Sequence, residues 1–464
     1  MTTADAGPEG NLIEDAELSA VVAAECERLD VPGCAVGVRV GARSFTAFHG
    51  VTDVHHPRPI DGDTLFMIGS TTKTLTATTV MTLVQEGRLS LDDRVVDHLP
   101  ELALQDEQAR QKVTVGQLLD HTAGWRGDVD VETGWGDDAL ARAVSEVAPT
   151  VPQLFAPGEM ASYNNLSLVL AGRLIEQVTG EGYEAAVRSR VLEPLGMSNT
   201  FFFPWEVATR PMATGHAVTD GRTGPAYIWP MSRGMNPAGG AVSSLRDQLR
   251  YAQFHLDGTA SGPAALADDL RRQMQKPRVT LPSGVSGVGV SWLLKDRDGV
   301  RMVTHGGNCS NLYVSSFALV PDEGLAVTVL GSSRGGGAVG AAVTEWAVQR
   351  HLGRPAVPAP DLLPLTPELA GQYVGRYDAG QWDLDVTASD GRLFVQLQLT
   401  DVPSDTPEEV LAAFRTPPSE VVLVAPDVVA PAAAPADSAG DFVRDDAGAV
   451  AWLRYGLRLA RRRM

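Results

Sequence analysis

Hydrophobic and polar positions along the chain follow two different periods. Gly33 to His49 alternates and is rich in β-forming residues, which predicts a pair of strands. Apolar residues take helical spacing from Ser70 to Gly87 and again from Leu166 to Thr179. A strand pattern returns at Leu312 to Val320 and at Leu325 to Leu330, which are joined by a Pro-Asp-Glu-Gly turn. We therefore predict an α/β (α+β) domain whose helices lie between an N-terminal and a C-terminal set of strands.

A change of pattern near residue 353 predicts a domain boundary. The segment from Gly353 to Pro367 is rich in proline, which stiffens a linker and prevents a regular element from continuing. Beyond it, Gly371 to Leu399 is typical of short strands separated by turns. We predict a catalytic domain over residues 11–352, a proline-rich linker over 353–365 and a small β domain over 366–464.

Composition and charge narrow the possible partners. The formal net charge of −19 disfavours binding to a phosphate backbone, so we expect no nucleic-acid partner. The sequence contains no apolar run of the roughly 20 residues that a bilayer requires, so we expect no membrane partner. The acidic start lacks the features of a signal peptide, and three cysteines do not suggest a disulfide framework. These observations favour a cytoplasmic protein.

The first candidate catalytic residues lie where the helical pattern from Ser70 to Gly87 begins. Ser70 and Lys73 form an S-x-x-K motif in a chain with only four lysines. Residues three apart share one face of a helix, so the amine can reach the serine hydroxyl. A lysine acts as a base if burial lowers its pKa. The alternative is a helix-capping serine followed by a solvated lysine.

Two further polar clusters occur later in the chain. Tyr163 and Asn165 lie on a predicted loop after Pro157-Gly158, where side chains can project into a cleft. A phenol normally ionises near pH 10, so catalysis by Tyr163 would need a nearby cation such as Lys73 to lower its pKa. His305 precedes two glycines that permit close approach of a substrate backbone. Each cluster also has a purely structural interpretation when it is considered alone.

The three clusters together resemble a known family. Ser70-x-x-Lys73, Tyr163-x-Asn165 and His305-Gly306-Gly307 occur in the order of the three motifs of serine β-lactamases, penicillin-binding DD-peptidases and related esterases. Similar segments elsewhere are Leu118 to Gly124, Pro157-Gly158, Pro194 to Met197 and Ala238 to Ser244, so the resemblance covers roughly residues 20 to 350. Gly371 to Tyr377 resembles the start of the lipocalin-like domain of some class C β-lactamase-like relatives.

The resemblance implies a fold and a role for each motif residue. The fold would be β-lactamase/transpeptidase-like, with an antiparallel sheet, a helical lobe, an active site between them and a small lipocalin-like β domain. Ser70 would attack a carbonyl, Lys73 would take its proton, and Tyr163 would relay protons to the leaving group. Asn165 would orient Lys73 and the substrate, and His305 would position Tyr163 or the substrate.

The same resemblance implies a substrate strand and an oxyanion site. Gly306 and Gly307 would lie along the substrate, and the backbone N–H groups of Ser70 and Asn308 would hold the oxyanion. No metal or organic cofactor is needed for this chemistry. Many β-lactamases carry lysine at the position of His305, so the resemblance does not favour a dedicated β-lactamase. The missing export signal disfavours a DD-carboxypeptidase, because peptidoglycan lies outside the membrane.

Two enzymatic functions remain open at this point, together with one that is not enzymatic. The first is a broad esterase or amidase that acts on a small-molecule substrate. The second is a penicillin-binding-protein-type thioesterase that releases or macrocyclises nonribosomal peptides, with a peptidyl thioester substrate on a peptide synthetase carrier domain. The third is a catalytically silent scaffold of the same fold, which the complete motif set disfavours.

Overall fold

A computed structural model of the chain describes residues 13–129, 131–219, 222–259, 265–282, 287–353, 360–380, 382–400, 406, 417–433 and 440–463. Its helices are α1 (Asp15–Arg28), α2 (Thr72–Gln85), α3 (Val95–His98), α4 (Glu107–Lys112), α5 (Val115–Leu119), α6 (Ala139–Arg142), α7 (Asn165–Thr179), α8 (Tyr183–Val187), α9 (Pro204–Val207), α10 (Asn236–Gly239), α11 (Leu245–Asp257), α12 (Asp268–Met274), α13 (Gly336–Leu352) and α14 (Pro367–Tyr373). Short 3₁₀ and π turns extend several of them, including a 3₁₀ turn at Gly69–Thr71 directly before α2.

The strands of the first domain are β1 (Gly33–Val40), β2 (Arg43–Gly50), β3 (Leu65–Met67), β4 (Thr200–Phe201), β5 (Gly215–Thr219), β6 (Arg222–Ala226), β7 (Val242–Ser244), β8 (Val279–Thr280), β9 (Gly287–Val288), β10 (Leu293–Arg297), β11 (Val300–Cys309), β12 (Tyr313–Val320) and β13 (Leu325–Gly331). Those of the second are β14 (Gly375–Asp378), β15 (Trp382–Ser389), β16 (Arg392–Leu399), β17 (Ser419–Ala425), β18 (Val428–Pro431), β19 (Gly440–Arg444), β20 (Val450–Tyr455) and β21 (Arg458–Arg462).

The main sheet joins the two ends of the first domain. Within the described residues it has eight strands in the order β2-β1-β13-β12-β11-β10-β9-β8, and every neighbouring pair is antiparallel. β1 pairs with β13 over seven residues on each strand, from Cys34 opposite Gly331 to Val40 opposite Leu325. One face of the sheet packs on α1 and α13, and the other faces the helical lobe. The predicted N-terminal and C-terminal strands therefore form one sheet.

The helix that begins after Ser70 lies at the centre of the helical lobe. Every residue of α2 from Thr72 to Leu83 is buried, although the helix contains six threonines. Their hydroxyls are satisfied within the core, because Thr78 and Thr79 donate to the carbonyls of Thr74 and Leu75, four residues earlier. A helix that is buried on all sides keeps Lys73 out of contact with bulk water.

The second domain is a closed antiparallel barrel. Its described strands run β14 to β21 in chain order, and β21 pairs with β14 to close the sheet. This up-and-down arrangement of eight strands is the architecture of lipocalins. Its interior is apolar and includes Tyr373, Tyr377 and Phe442. The predicted small β domain thus has a core of its own.

The barrel contacts the first domain next to the predicted Tyr163 loop. Arg454 donates to the carbonyl of Ala161 over 3.2 Å, and the backbone N–H of Leu459 donates to Ser162 Oγ over 3.1 Å. Residues 354–359 of the predicted linker lie outside the described residues, so the boundaries at 352 and 366 stay predictions. Within the part of the chain that the structure describes, no helix is long and apolar enough to cross a membrane.

Candidate active site

The candidate nucleophile and base meet at the start of α2. Ser70 lies in the 3₁₀ turn Gly69–Thr71, and Lys73 is the second residue of α2. Lys73 Nζ is 3.0 Å from Ser70 Oγ and 2.5 Å from the carbonyl oxygen of Ala238, which lies in α10. The predicted proximity of serine and lysine is therefore realised in the structure.

The environment of Lys73 favours its neutral form. The side chain is fully buried, and this burial is the main reason why its pKa lies well below the usual value of a lysine. The guanidinium of Arg458 lowers the lysine pKa further, while the carboxylate of Asp128 acts in the opposite direction. An uncharged amine next to Ser70 Oγ can accept the hydroxyl proton.

Tyr163 lies on the other side of the same pair. Lys73 Nζ is 4.8 Å from the centroid of its ring, and its phenol is near enough to the Ser70 hydroxyl for the two groups to interact. The sequence-based expectation that a cation would lower the pKa of this phenol is not met, because burial raises it above the ordinary value. The cation Arg458 and the interaction with the Ser70 hydroxyl oppose this rise without cancelling it. Tyr163 is therefore a protonated phenol at neutral pH, so it can donate a proton but holds that proton more tightly than an exposed tyrosine does.

Glycines let strand β11 lie close to the 3₁₀ turn Gly69–Thr71, which carries Ser70. A Cβ on Gly69 would lie 2.7 Å from the backbone nitrogen of Asn308, and Gly69 has a φ of +51°. A Cβ on Gly307 would lie only 1.8 Å from the carbonyl oxygen of Ile68. Side chains at either position would push the strand away. The backbone of Asn308, the predicted oxyanion donor, is thus held beside the residue that precedes Ser70.

His305 stays neutral in this setting. Its Nδ1–H donates to the carbonyl of Gly306 over 2.7 Å, and its ring centroid is 6.2 Å from that of Tyr163. Burial and, less strongly, Lys73 lower the pKa of His305 to about 3. Its Nε2 is buried and has no hydrogen-bond partner among the described residues. His305 lines the site but brings no positive charge to it at neutral pH.

Asn165 is placed differently from the role that the resemblance implies. It is the first residue of α7, and its side-chain amide donates to Asp128 Oδ1 over 2.8 Å. Within the described residues its hydrogen bond goes to Asp128 rather than to Lys73. The neighbouring Asn164 caps α7 by accepting the backbone N–H of Ser167. Any influence of Asn165 on Lys73 would pass through the Asp128 carboxylate.

A hairpin of the barrel completes the site, and the sequence patterns do not predict it. The turn Gly456-Leu457 between β20 and β21 places the carbonyl of Leu457 2.7 Å from the backbone N–H of Tyr163. Arg458 lies over the Tyr163 ring at 4.6 Å from its centroid, and it forms an ion pair with Asp128. No motif marks these residues, because their contact with Tyr163 depends on how two distant segments fold together.

The turn that carries this contact has an unusual backbone. Leu457 has a φ of +67° although it is not a glycine, and its side chain is buried against Tyr163 and Ala161. A bulky residue in this region of φ is strained, and such strain persists only where the surrounding structure imposes it. The conformation matches the positive φ at both central positions of a two-residue type I′ hairpin, in which Gly456 is the other.

His121 supports the Tyr163 loop from the other side. Its Nδ1 accepts the backbone N–H of Asn164 over 3.2 Å, and its ring lies 4.5 Å from that of Tyr163. Burial lowers the pKa of His121 well below its usual value, and Lys73 and His305 lower it further. The similar segment Leu118 to Gly124 points to this region of the sequence, but gives no role for the histidine. Burial thus lowers the pKa of each of three basic side chains near Tyr163, namely His121, His305 and Lys73.

This geometry agrees with comparisons to known proteins. The β-lactamase family model matches residues 18–350, more than half of the chain. The chain belongs to the β-lactamase family. The family identity and the predicted fold are therefore confirmed, including a C-terminal β-barrel domain. The protein is a serine hydrolase of this family. Its main sheet and its helical lobe lie on either side of Ser70.

Two curated β-lactamase-family relatives and two solved structures show the range of this likeness. Penicillin-binding protein 4 of Amycolatopsis lactamdurans is 35% identical over 308 residues, 65% of this chain and 80% of that protein. Esterase EstB of Burkholderia gladioli is 28% identical over 379 residues, 76% of this chain and 93% of that protein. The crystal structure of SurE superposes with a TM-score of 0.73 at 27% identity, covering 97% of this chain and 99% of that one. A second structure, of SurE with D-Leu, has a TM-score of 0.70 with the same identity and coverage.

Proposed function

We propose that this protein transfers acyl groups through an ester on Ser70, with Lys73 as the base that activates the nucleophile. The observation that carries the proposal is the fully buried Lys73 amine, whose Nζ lies 3.0 Å from Ser70 Oγ and whose pKa is well below its usual value. A solvated lysine would be protonated at neutral pH and could not accept the serine proton. The alternative of a silent scaffold gives no reason for such a costly burial of an amine.

The acylation step can be derived from these positions. Ser70 Oγ loses its proton to Lys73 Nζ and forms a bond to the substrate carbonyl carbon. The carbonyl oxygen takes the negative charge and is stabilised by the backbone N–H groups of Ser70 and Asn308. When the bond to the leaving group breaks, the protonated Tyr163 phenol donates to the departing atom. The Lys73 ammonium then returns its proton to the phenolate.

The second step releases the acyl group from Ser70. Water or an amine attacks the ester carbonyl, loses its proton to the neutral Lys73 through Tyr163, and expels Ser70 Oγ, which takes the proton back. Attack by water gives an acid, whereas attack by an amine at the other end of the same chain gives a ring. An amine that is held near the ester outcompetes water through its effective concentration.

For the substrate, we propose a peptidyl thioester with a D-residue at its carboxyl end, carried by a peptide synthetase carrier domain. The supporting observations are the likeness to SurE over 97% of the chain, including the barrel, and the solved complex of SurE with D-Leu. The barrel also contributes Leu457 and Arg458 to the site, as a domain concerned with substrate choice would.

A second candidate is a broad esterase or amidase for small molecules. It is supported by the likeness to esterase EstB, which extends over 93% of that protein. This likeness covers 76% of the present chain, so it says nothing about the function of the remaining residues. Both candidates share the Ser70 ester, and they differ in the acyl donor and in the nucleophile that releases the acyl group.

A cytoplasmic location is part of the proposal. Cys26, Cys34 and Cys309 are all buried free thiols, and Cys26 and Cys34 belong to the same hydrophobic core. Proteins that keep their cysteines as thiols are typical of a reducing compartment. Fractionation of the native host would test this, and recovery of the protein outside the cytoplasm would contradict it.

Intact-protein mass spectrometry tests the proposal in two stages. A fluorophosphonate should add one adduct to the parent protein and none to Ser70→Ala, and equal labelling of the two would refute the Ser70 ester. A peptidyl thioester with a D-residue at its carboxyl end and a free amine at its start should then give mainly the ring. If only the linear acid forms while small esters turn over rapidly, the esterase candidate replaces the cyclase.

A further inference from the structure

His121 has a strained backbone in the turn that follows α5. Its φ is +64°, and the residue is buried. Only glycine adopts this region of φ freely, although asparagine, aspartate and histidine tolerate it better than bulky residues do. Such a conformation persists where the surrounding structure imposes it, and it is found most often at functional sites. None of the reaction steps proposed above involves His121.

Hydrogen bonds from both neighbours of Tyr163 converge on His121. Its backbone carbonyl accepts the N–H of Ser162 over 2.9 Å, and its Nδ1 accepts the N–H of Asn164 over 3.2 Å. Its ring lies against the Tyr163 ring, with 4.5 Å between the centroids and 37° between the planes. One residue thus contacts the backbone on both sides of Tyr163 and also the ring itself.

The hydrogen bond to Asn164 fixes the tautomer of the imidazole. A backbone N–H can only donate, so Nδ1 of His121 carries a lone pair and the proton of the neutral ring is on Nε2. That Nε2 is buried and has no hydrogen-bond partner among the described residues. An unpaired buried N–H is costly, so Nε2 gives no reason for a histidine at this position. The polar contribution of the ring is the acceptor at Nδ1.

Protonation of His121 would destroy this acceptor. A proton on Nδ1 would face the N–H of Asn164, and neither group could then accept. Burial lowers the pKa of His121 well below its usual value, and Lys73 and His305 lower it further. The neutral ring that the hydrogen bond requires is therefore the form that its surroundings stabilise.

The position of the Tyr163 phenol decides how well it serves the leaving group. The carbonyl of Leu457 holds the backbone N–H of Tyr163 over 2.7 Å, but the side chain must also point toward Ser70. A displacement of about 1 Å at a catalytic group can lower a rate by roughly a hundredfold. Holding the peptide units on both sides of Tyr163 limits such displacement, because the backbone sets the direction of the Cα–Cβ bond.

We infer that His121 is a positioning residue for Tyr163, and that its Nδ1 acceptor keeps the phenol aligned with Ser70 and the leaving group. The inference rests on the proposed Ser70 ester, in whose formation Tyr163 protonates the departing atom. Poor leaving groups need this proton, whereas p-nitrophenolate departs without it. Loss of the acceptor should therefore be most damaging for an ester with a poor leaving group.

The test compares trifluoroethyl butyrate with p-nitrophenyl butyrate, which differ only in the leaving group. The measured quantity is the ratio of their kcat/KM values, because kcat/KM covers the steps up to acylation. His121→Phe keeps a ring but has no acceptor, so the trifluoroethyl to p-nitrophenyl ratio should fall by roughly a hundredfold. His121→Asn places an amide oxygen at the position of Nδ1 and tolerates a positive φ, so the ratio should stay within about threefold of the parent.

Two further variants show whether the effect passes through the phenol. His255→Phe is the matched control, because it replaces another buried histidine with phenylalanine outside the site, and it should leave the ratio as in the parent. Tyr163→Phe lacks the phenol. Adding His121→Phe to it should change the ratio by less than about twofold, because a residue that acts through the phenol has no effect once the phenol is gone.

The outcomes separate the inference from the function on which it rests. An unchanged ratio in His121→Phe, or an equal fall in His121→Asn or His255→Phe, would overturn the positioning role of Nδ1. Turnover of only the p-nitrophenyl ester by the parent would overturn it too, since no proton would then reach the leaving group. Failure of both esters to acylate Ser70 would instead overturn the proposed function. If His121→Phe does not fold, His121→Gly makes the same test, because glycine adopts this φ without strain and carries no acceptor.

Discussion

The guanidinium of Arg458, on the barrel, lies 4.6 Å from the centre of the Tyr163 ring in the catalytic domain. The same guanidinium pairs with Asp128 and lowers the pKa of Lys73. Arg458, which lies outside the catalytic domain, thus lowers the pKa of Lys73, the proposed base.

Arg458→Ala should move the acidic limb of the kcat/KM profile to higher pH. Loss of the cation removes one of the two effects that lower the pKa of Lys73, and it leaves Asp128 to raise that pKa. The amine must be neutral to act, so activity at any pH on the acidic limb falls. Arg461→Ala is the matched control, since Arg461 lies on the same strand over the Trp452 ring. An unshifted limb would show that Arg458 only supports packing.

Asp128→Asn should shift the same limb to lower pH. The carboxylate of Asp128 raises the pKa of Lys73, so an uncharged amide at this position removes the larger of the two effects that oppose burial and Arg458. The amide can still contact Asn165, which limits the structural damage. If the acidic limb shifts in opposite directions in Arg458→Ala and Asp128→Asn, measured with the same small ester, both shifts arise from charge. Shifts in the same direction would point to loosened docking of the barrel.

Lys73→Arg should lower kcat by roughly a thousandfold or more while the protein remains folded. Arginine keeps the positive charge but does not deprotonate in proteins, so it cannot take the proton of Ser70. Lys112→Arg, in α4 on the surface, provides the control for the substitution itself. Thermal unfolding checks the fold. Turnover within about tenfold of the parent would mean that another base serves Ser70.

His255→Phe should reduce the amount by which the free energy of unfolding falls as the pH is lowered. His255 is buried among Tyr251, Phe254 and Trp292, and burial lowers its pKa to about 3. A histidine whose folded pKa is depressed contributes stability above its unfolded pKa of about 6.5, and this is lost as pH falls toward the folded value. The slope is about 1.4 kcal/mol per pH unit for one proton.

Thermal unfolding of the parent and His255→Phe between pH 7 and pH 4.5 measures this difference. His56→Gln, on the surface, should match the parent at every pH. Parallel curves for the parent and His255→Phe would contradict the prediction. The test is independent of catalysis, because His255 lies outside the site.

Much of the fold can be predicted because its signals are local. Strand alternation at Gly33 to His49 and helical spacing after Ser70 correspond to β1, β2 and α2 within a few residues. The S-x-x-K spacing is likewise local, because one turn of helix fixes the distance between its two side chains. The resemblance of Gly371 to Tyr377 is enough to predict the barrel, since this segment enters its first strand.

The environment of Tyr163 cannot be predicted in the same way. Its pKa depends on burial beneath the Leu457 turn, which approaches from the other domain, and the cation that lowers this pKa is Arg458 rather than Lys73. The motif assigns Asn165 to Lys73, but the Asn165 amide bonds to Asp128, which no motif marks. Contacts between segments that are distant in sequence depend on tertiary packing, which periodicity does not encode.

The strained turn at Leu457 has a consequence for when the enzyme becomes active in the cell. A ribosome makes Ser70, Lys73 and Tyr163 long before it makes Leu457, and domains generally fold in the order of their synthesis. A nascent catalytic domain would therefore hold its nucleophile and base in place while Tyr163 still lacks its backbone partner and its cation. Docking of the barrel would then supply both the Leu457 carbonyl and the Arg458 cation to Tyr163.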